Sequence, residues 1–332
     1  MKITMEHGSG GAATGKLIQE VFAKEFSNEI LDRMEDSAVV CGNQKIAITT
    51  DSFVVTPLEF PGGDIGRLAV CGTVNDLLMR GAVPKYLTCG FILQEGADTQ
   101  LLKHLVSSMA KTAKEAGIAI VAGDTKVVEG NGGIFVNTTG VGFVEEECDI
   151  CAAQAQHEDA VIESGYLGDH HAAILSSRLE IENDIQSDNA PLNGMVCNLL
   201  QNKIRVHTMR DVTRGGLATV LKELAQASDA RIEIEEEQLP IHPQVKDFCG
   251  LLGLDPLYMG NEGKMVAFVA KEDAQKALEI IRNSKYGEHA AIIGSVDKNA
   301  EESERKSLIL KTKLGGKRKL EILQGEGLPR IC

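Results

Sequence analysis

The chain has no tryptophan and, in 332 residues, only four tyrosines and nine phenylalanines. Proteins that hold single-stranded nucleic acid stack its bases on aromatic rings, and those that hold duplexes neutralise phosphates with basic surface. Neither resource is present: 34 Lys and Arg face 48 Asp and Glu, a net charge of −14. Nucleic acid is therefore not the expected partner. Long apolar runs are missing too, since no stretch approaches the ~18 residues of a membrane span. The opening MKITMEHGSGG lacks the apolar core of a secretory signal, so the expected location is the cytoplasm, with no membrane partner. The eight cysteines, spread from Cys41 to Cys332, read in a reducing compartment as small buried hydrophobes rather than a disulfide framework.

What is present is enough chain for about two domains at ~150 residues each. A polar, glycine-rich arm (HGSGG, 7–11) leads into a helical stripe of Leu17, Ile18, Val21, Phe22 and Phe26, giving an arm and one helix over 1–34. Between 35 and 146, the short β-branched runs SAVVC and KIAITT flank Gly42-Asn43. They are followed by a helix at about 64–80, the strand PKYLTCGFIL, a helix at about 98–116, and the strands GIAIVAG and GIFVNTTGVGFV. The polar stretch EEECDICAAQAQHE reads as a linker. A second alternation of helices and strands fills 155–312, and in 313–332 a hairpin strand about Gly315-Gly316 is followed by a mobile tail, QGEGLPRIC. Alternating helices and strands in two units predict an α/β (α+β) fold.

Two motifs mislead. GGAATGK at 10–16 fits the spacing of a phosphate-binding loop, but Leu17 stands where a Ser or Thr should follow Lys16, and KITM is too short for the preceding buried strand. The backbone N–H groups of Gly10 and Gly11 could still wrap phosphate. CDIC at 148–151, with His157, His170 and His171 downstream, suggests zinc or redox chemistry, yet there is no second CxxC and the spacing fits no common zinc module. An incidental pair in a linker is the better reading.

Acidic residues carry the stronger signal. Asp36 precedes a strand, Asp51 ends one, Asp76 lies in a helix rich in small residues, Asp124 ends GIAIVAG, and Asp211 follows VHTM ahead of a Gly-Gly and a helix. Each alone reads as a cap or turn aspartate. Repeated at strand ends on one edge of an α/β sheet, where ligands bind, they could together hold Mg²⁺ on a nucleotide. Lys126 and the run Asn261-Glu262-Gly263-Lys264 add polar groups beside expected strand ends. A terminal thiol, Cys332, has no packing rationale; on a nine-residue tail it could reach ~30 Å as a swinging arm.

Taken together, HGSGG, TDSFVVTPLEFPGGDIGRLAVCGTVNDL, GFILQEG, GIAIVAGDTKVV, RDVTRGG, NEGK and the terminal PRIC resemble the HypE family of hydrogenase maturation proteins, over essentially the whole chain and in order. The family belongs to the superfamily of aminoimidazole ribonucleotide synthetase, selenophosphate synthetase and thiamine-monophosphate kinase. The resemblance implies a two-domain PurM-like fold and a homodimer built through the N-terminal domains, with Mg-ATP at the edge of that interface. It implies that Asp36, Asp51, Asp76, Asp124 and Asp211 are the Mg-ATP carboxylates, that Asn75, Gly10 and Gly11 contact the nucleotide, and that Lys126 and Glu262 contact nucleotide or handle protons. It also implies a reaction: a carbamoyltransferase, HypF, loads a carboxamide on Cys332, ATP drives its dehydration to a thiocyanate, and the cyano group passes to iron on a HypC-HypD complex. CDIC and Cys41 are not part of that pattern. Competing readings are a selenophosphate synthetase-like enzyme, which would need a Cys or selenocysteine with Lys in an arm that has Lys16 but no Cys, and a carbamoyl carrier without catalysis.

Overall fold

The computed structural model describes residues 2–4, 16–29, 32, 42, 45–324, 328 and 330–332. Gly10, Gly11 and most of GGAATGK, the strand expected at 37–41, Asp36, Cys41 and the tail residues Gly325, Gly327 and Pro329 lie outside them.

The first helix (α1, residues 16–26) widens to a π-helix over Ile18–Ala23 and buries Leu17, Val21, Phe22 and Phe26, the stripe its periodicity predicts. The first sheet runs β1 (Lys45–Phe53), β6 (Ile134–Val144), β4 (Val83–Gln94), β5 (Ala119–Val128) in spatial order. A two-residue pair, β2 (Glu59–Phe60) and β3 (Gly63–Asp64), precedes helix α2 (Ile65–Met79). Its N-terminus is closed by Asp64 itself, whose Oδ1 accepts from the Arg67 N–H at 2.9 Å, so the Pro-Gly-Gly-Asp turn ends in a self-capped helix.

Helix α2 is buried on every side except at Arg67 and Asp76. Its small residues make this possible: a Cβ on Gly66 would lie 2.2 Å from the Leu105 carbonyl of helix α3 (Thr99–Glu115), and one on Gly72 would lie 2.9 Å from the Phe53 ring. Thr73 pairs its hydroxyl with that of Thr138 on β6 at 2.5 Å. Ala69, Gly72 and Thr73, a run of small residues that would suit close packing of a second copy, are buried within the one chain.

A seven-stranded sheet follows, in the order β13 (Lys317–Leu320), β12 (Leu308–Lys311), β9 (Arg231–Glu235), β11 (Ala291–Asp297), β7 (Ala160–Glu163), β10 (Met265–Val269), β8 (Val206–Asp211). Every neighbouring pair is antiparallel except β12 with β9, and β12–β13 form the hairpin expected about Gly315-Gly316. Strand β10 shows how the layers stack. Met265, Ala267 and Val269 enter one core with α5 (Asn193–Gln201), α8 (Ala274–Arg282) and the helices of the first sheet. Val266 and Phe268 point the other way, into a core under α6 (Gly216–Ser228). Helix α2 thus lies between its own sheet and β8 of the second, and its low amphipathicity follows from having apolar neighbours on both sides.

The outer face of the first sheet is open. Odd residues of β6 and even residues of β1 point to it, and it displays Ile48, Ile46, Ile92 and Val128 at 69%, 49%, 47% and 39% exposure. Among the described residues no helix is long and apolar enough to cross a membrane.

Candidate active site

The seam between α2 and the two sheets gathers acid. Asp51 on β1 turns toward the helix face, where its carboxylate lies beside Gly72. One turn further along α2, Asp76 accepts a 2.8 Å hydrogen bond from Thr49 Oγ1. Burial, then the charges of Asp211 and Asp51, push Asp76 up to about 7, and it shares a hydrogen bond with Asp51. Asp211, the last residue of β8, is raised to about 6, mainly by burial and with Asp51 adding repulsion. Three carboxylates from β1, α2 and β8 therefore face one another with too little positive charge between them.

Loop 260–264 brings the fourth acid. Asn261 ties the loop down, donating from Nδ2 to the Val212 carbonyl at 3.0 Å and accepting at Oδ1 from the Gly168 N–H at 2.7 Å. The Asp188 carboxylate accepts from the N–H groups of Glu262 (3.1 Å) and Gly263 (3.3 Å), and a Cβ at position 263 would strike the Asp188 carbonyl at 2.0 Å. Asn75 completes the frame: its Nδ2 donates to the carbonyls of Ala190 and Glu262, and its Oδ1 accepts from the Leu192 N–H. So held, Glu262 is 5% exposed. Burial, then Asp188, Asp211 and Asp51, push its carboxyl well above the ordinary range, with Arg214 opposing.

The end of the chain is seated here. The Val54 N–H donates to the Cys332 carbonyl at 3.0 Å and the Thr56 N–H to the Arg330 carbonyl at 3.2 Å. Ile331 is buried, its Cδ1 facing Gly260. Burial first, then Glu262 and Asp51, raise the Cys332 thiol to about 12, while Arg214 acts to lower it. Residues 330–332 of a tail expected to be free are docked, with the Cys332 thiol among the groups of the site.

Asp51, Asp76, Asp211, Glu262 and Cys332 are brought together. Asp124 and Lys126 are not. In register, Asp51 pairs with Thr138, Thr138 with Cys89 and Cys89 with Gly123. Asp124, one residue on, points to the opposite, open face, three strands or about 14 Å away. It is exposed there and bonded to Lys126 Nζ at 2.8 Å. Nor do Asp51 and Asp124 end their strands, which run on to Phe53 and Val128. The strand-edge rule that singled them out belongs to parallel sheets; this first sheet is antiparallel apart from β4–β5, and the site forms between sheets instead. Among the described residues no three His, Cys, Asp or Glu side chains are grouped to hold a metal ion by themselves. Cys148 and Cys151 are free thiols, and His157 pairs with Asp297.

Sequence reasoning passed over two residues. Arg214 precedes Gly215 and Gly216, both at positive φ (83° and 65°), and a Cβ on Gly216 would lie 2.5 Å from the Leu257 carbonyl. A cation fixed before such a turn was a usable signal. Asp188 lies in a polar stretch with no periodicity and gave none.

Comparison with known proteins follows the same outline. Residues 34–144 match the family described as AIR synthase related protein, N-terminal domain, and residues 156–306 its C-terminal domain. A curated relative from Cupriavidus necator, carbamoyl dehydratase HypE, is 47% identical over 337 residues, which span 100% of this chain and 95% of the relative. A crystal structure of hydrogenase maturation protein HypE in complex with ATP is 45% identical, covers 99% of both chains and superposes with a TM-score of 0.95. A chain of a HypE-HypF complex is 47% identical with a TM-score of 0.79, over 94% of this chain and 100% of that one.

Proposed function

Because the chain belongs to the AIR synthase related family and, within it, to the HypE carbamoyl dehydratases, we propose that Cys332 is its own substrate arm and that the seam around Asp51, Asp76, Asp211 and Glu262 is where the dehydration occurs. The protein is an ATP-dependent carbamoyl dehydratase of hydrogenase maturation. The observation that carries the assignment of Cys332 is its seat: the last side chain of the chain is docked with Glu262, Arg214 and Asp51 as its charged neighbours.

The chemistry fits those groups. In a carboxamide on Cys332, the oxygen attacks the γ-phosphorus of ATP, the bond to the β-phosphate oxygen breaks, and ADP leaves. One N–H proton goes to a base, giving an S-bound imidate phosphate. The C–O bond then breaks, and phosphate departs with the electron pair and carries off the second N–H proton, leaving the nitrile. Glu262 is the proposed proton acceptor; a carboxylate lifted by burial is a stronger base than a surface glutamate. Asn75, fully bonded to backbone, is proposed to hold the Glu262 loop rather than the nucleotide.

A divalent cation suits the donor set, since Asp76 and Asp211 are held toward neutrality by burial and by repulsion from nearby carboxylates. Mg²⁺ takes one or two carboxylates and fills its other positions with phosphate and water oxygens, so Asp51 and Asp76, with Asp211 nearby, would hold it on the phosphates. When bound, it would neutralise the phosphates and the charge developing on them. Asp36 is proposed as a further Mg-ATP carboxylate, and Gly10 and Gly11 as contacts of the nucleotide. The open sheet face is proposed to pair with a second copy, bringing the Asp124–Lys126 edge of one chain toward the site of the other. HypF is the proposed donor of the carbamoyl group and HypC-HypD the proposed acceptor of the cyano group.

The test is intact mass. After loading with HypF and carbamoyl phosphate, Mg-ATP should reduce the mass of the modified chain by one water, about 18 Da, at Cys332. Persistence of the carbamoyl mass would make the protein a carrier, and modification at Cys148 or Cys151 would refute the assignment.

A further inference from the structure

Helix α4 (Asp169–Arg178) touches the end of the chain at both of its own ends. In its first turn His170 is fully buried, with Nδ1 at 2.8 Å from Ser187 Oγ and Nε2 at 2.8 Å from the Ile331 carbonyl oxygen. A carbonyl only accepts, so Nε2 carries the proton, and Nδ1 accepts from the Ser187 hydroxyl. Ser187 Oγ accepts in turn from the Asn189 N–H at 3.2 Å, and Phe60 packs edge-on against the ring at 5.4 Å between centroids. The imidazole is thus fixed in one orientation and one tautomer. At the last turn of α4, Arg178 donates from Nε to the Thr56 carbonyl at 2.7 Å and from Nη2 to the Arg330 carbonyl.

Packing alone does not call for this histidine, since an apolar side chain would fill the space without desolvating a polar ring. Its one bond outside its own fixing chain goes to the penultimate residue of the protein. Arg178 likewise joins the two segments that the docked tail brings together, 54–56 and 330–332.

We propose that α4 is a docking clamp for the C-terminal segment, in which His170 and Arg178 act as positioning residues that bind the backbone carbonyls of Ile331 and Arg330 and so hold Cys332 in the site. Because the clamp reads backbone, it is indifferent to whether the Cys332 side chain is a thiol, a carboxamide or a thiocyanate. Because it consists of a few hydrogen bonds and one buried isoleucine, it can release the tail for loading. The functional meaning of the clamp rests on the reading of Cys332 given above; its existence does not.

The two are separated by experiment. In the full-length protein without nucleotide or partner, docking leaves Cys332 only partly exposed, so its rate of reaction with N-ethylmaleimide, followed by peptide mass spectrometry with Cys148 and Cys151 as internal references, rises with the undocked fraction. Arg178→Ala and His170→Ala should each speed labelling of Cys332 about tenfold, the weight of one lost hydrogen bond, with the reference cysteines unchanged. His170→Gln, whose amide can still donate to a carbonyl, should keep most of the protection. On carbamoylated protein the two alanine variants should slow water loss about tenfold at unchanged ATP affinity. Arg178 is partly exposed, so its alanine variant decides the matter even if His170→Ala does not fold. Unchanged Cys332 labelling in Arg178→Ala overturns the clamp. Failure of the carbamoylated wild type to lose water strikes the functional reading and leaves the labelling result standing.

Discussion

Replacing Asp76 by Asn should make the nucleotide-free protein more stable while destroying its site. Asp76 is raised from 3.8 to about 7, by burial first and then by the charges of Asp211 and Asp51. A carboxyl bound to its proton more tightly when folded stabilises the fold fully below its unfolded pKa, and that contribution is lost as pH rises from about 3.8 through about 7. The stability lost by pH 8 is on the order of a few kcal/mol. Asn has no charge to desolvate and none to repel Asp211 and Asp51, so it recovers part of that loss, on the order of 2 kcal/mol. Asn reproduces the protonated acid: its Oδ1 can accept from Thr49 and its N–H₂ can donate to Asp51. In a chain of 332 residues that gain raises the midpoint of thermal unfolding by roughly 3 °C at pH 8, fading as pH falls toward 4. Scanning calorimetry in chelated buffer across that pH range measures it, and titration calorimetry should show Mg-ATP binding lost in the same variant. A midpoint that falls at pH 8, or a gain equally large at pH 4, would refute the account of Asp76 as a charge held in readiness for a cation.

Two further outcomes concern the open sheet face. Ile48→Glu places a charge at a position 69% exposed in one chain and buried in the proposed dimer, a cost of several kcal/mol there. Light scattering at micromolar concentration should report a monomer with unchanged circular dichroism, and a persistent dimer would move the interface elsewhere. If Lys126 of one copy serves the site of the other, Asp51→Asn and Lys126→Ala should each be inactive alone. Mixed in equal amounts and allowed to exchange, they should recover about a quarter of wild-type activity, because half the dimers are mixed and each holds one intact site. Formation of mixed dimers without recovery would place Lys126 in its own chain's site or outside catalysis.

Local features were legible because they depend on near neighbours in the chain. The Leu17–Phe26 stripe, the Asp64 helix start and the Gly315-Gly316 hairpin all appear where periodicity and turn chemistry put them. Among the acids, Asp51, Asp76 and Asp211 each looked like an ordinary cap or turn, and only their repetition marked them. What joins them is the burial of α2 between two sheets, a packing of residues far apart in sequence that no periodicity reveals. Asp188 and the tail-binding role of His170 were illegible for the same reason, since Ser187 and Ile331 meet the ring from 17 and 161 residues away.

Asp124 shows why strand position alone could not sort the acids. A strand alternates its side chains between faces, so a shift of one residue decides which side of the sheet a carboxylate serves. Asp51 falls in the row Asp51–Thr138–Cys89–Gly123 and reaches the seam; Asp124 falls one residue past it and reaches the open face. The same alternation that separates them places Asp124 and Lys126 on the face that carries Ile46, Ile48 and Ile92. An ion pair at the edge of an apolar sheet face that nothing among the described residues covers gains a role only when something covers that face. In the proposed dimer a second copy would bring an identical apolar face together with a second seam of carboxylates for Lys126 to meet.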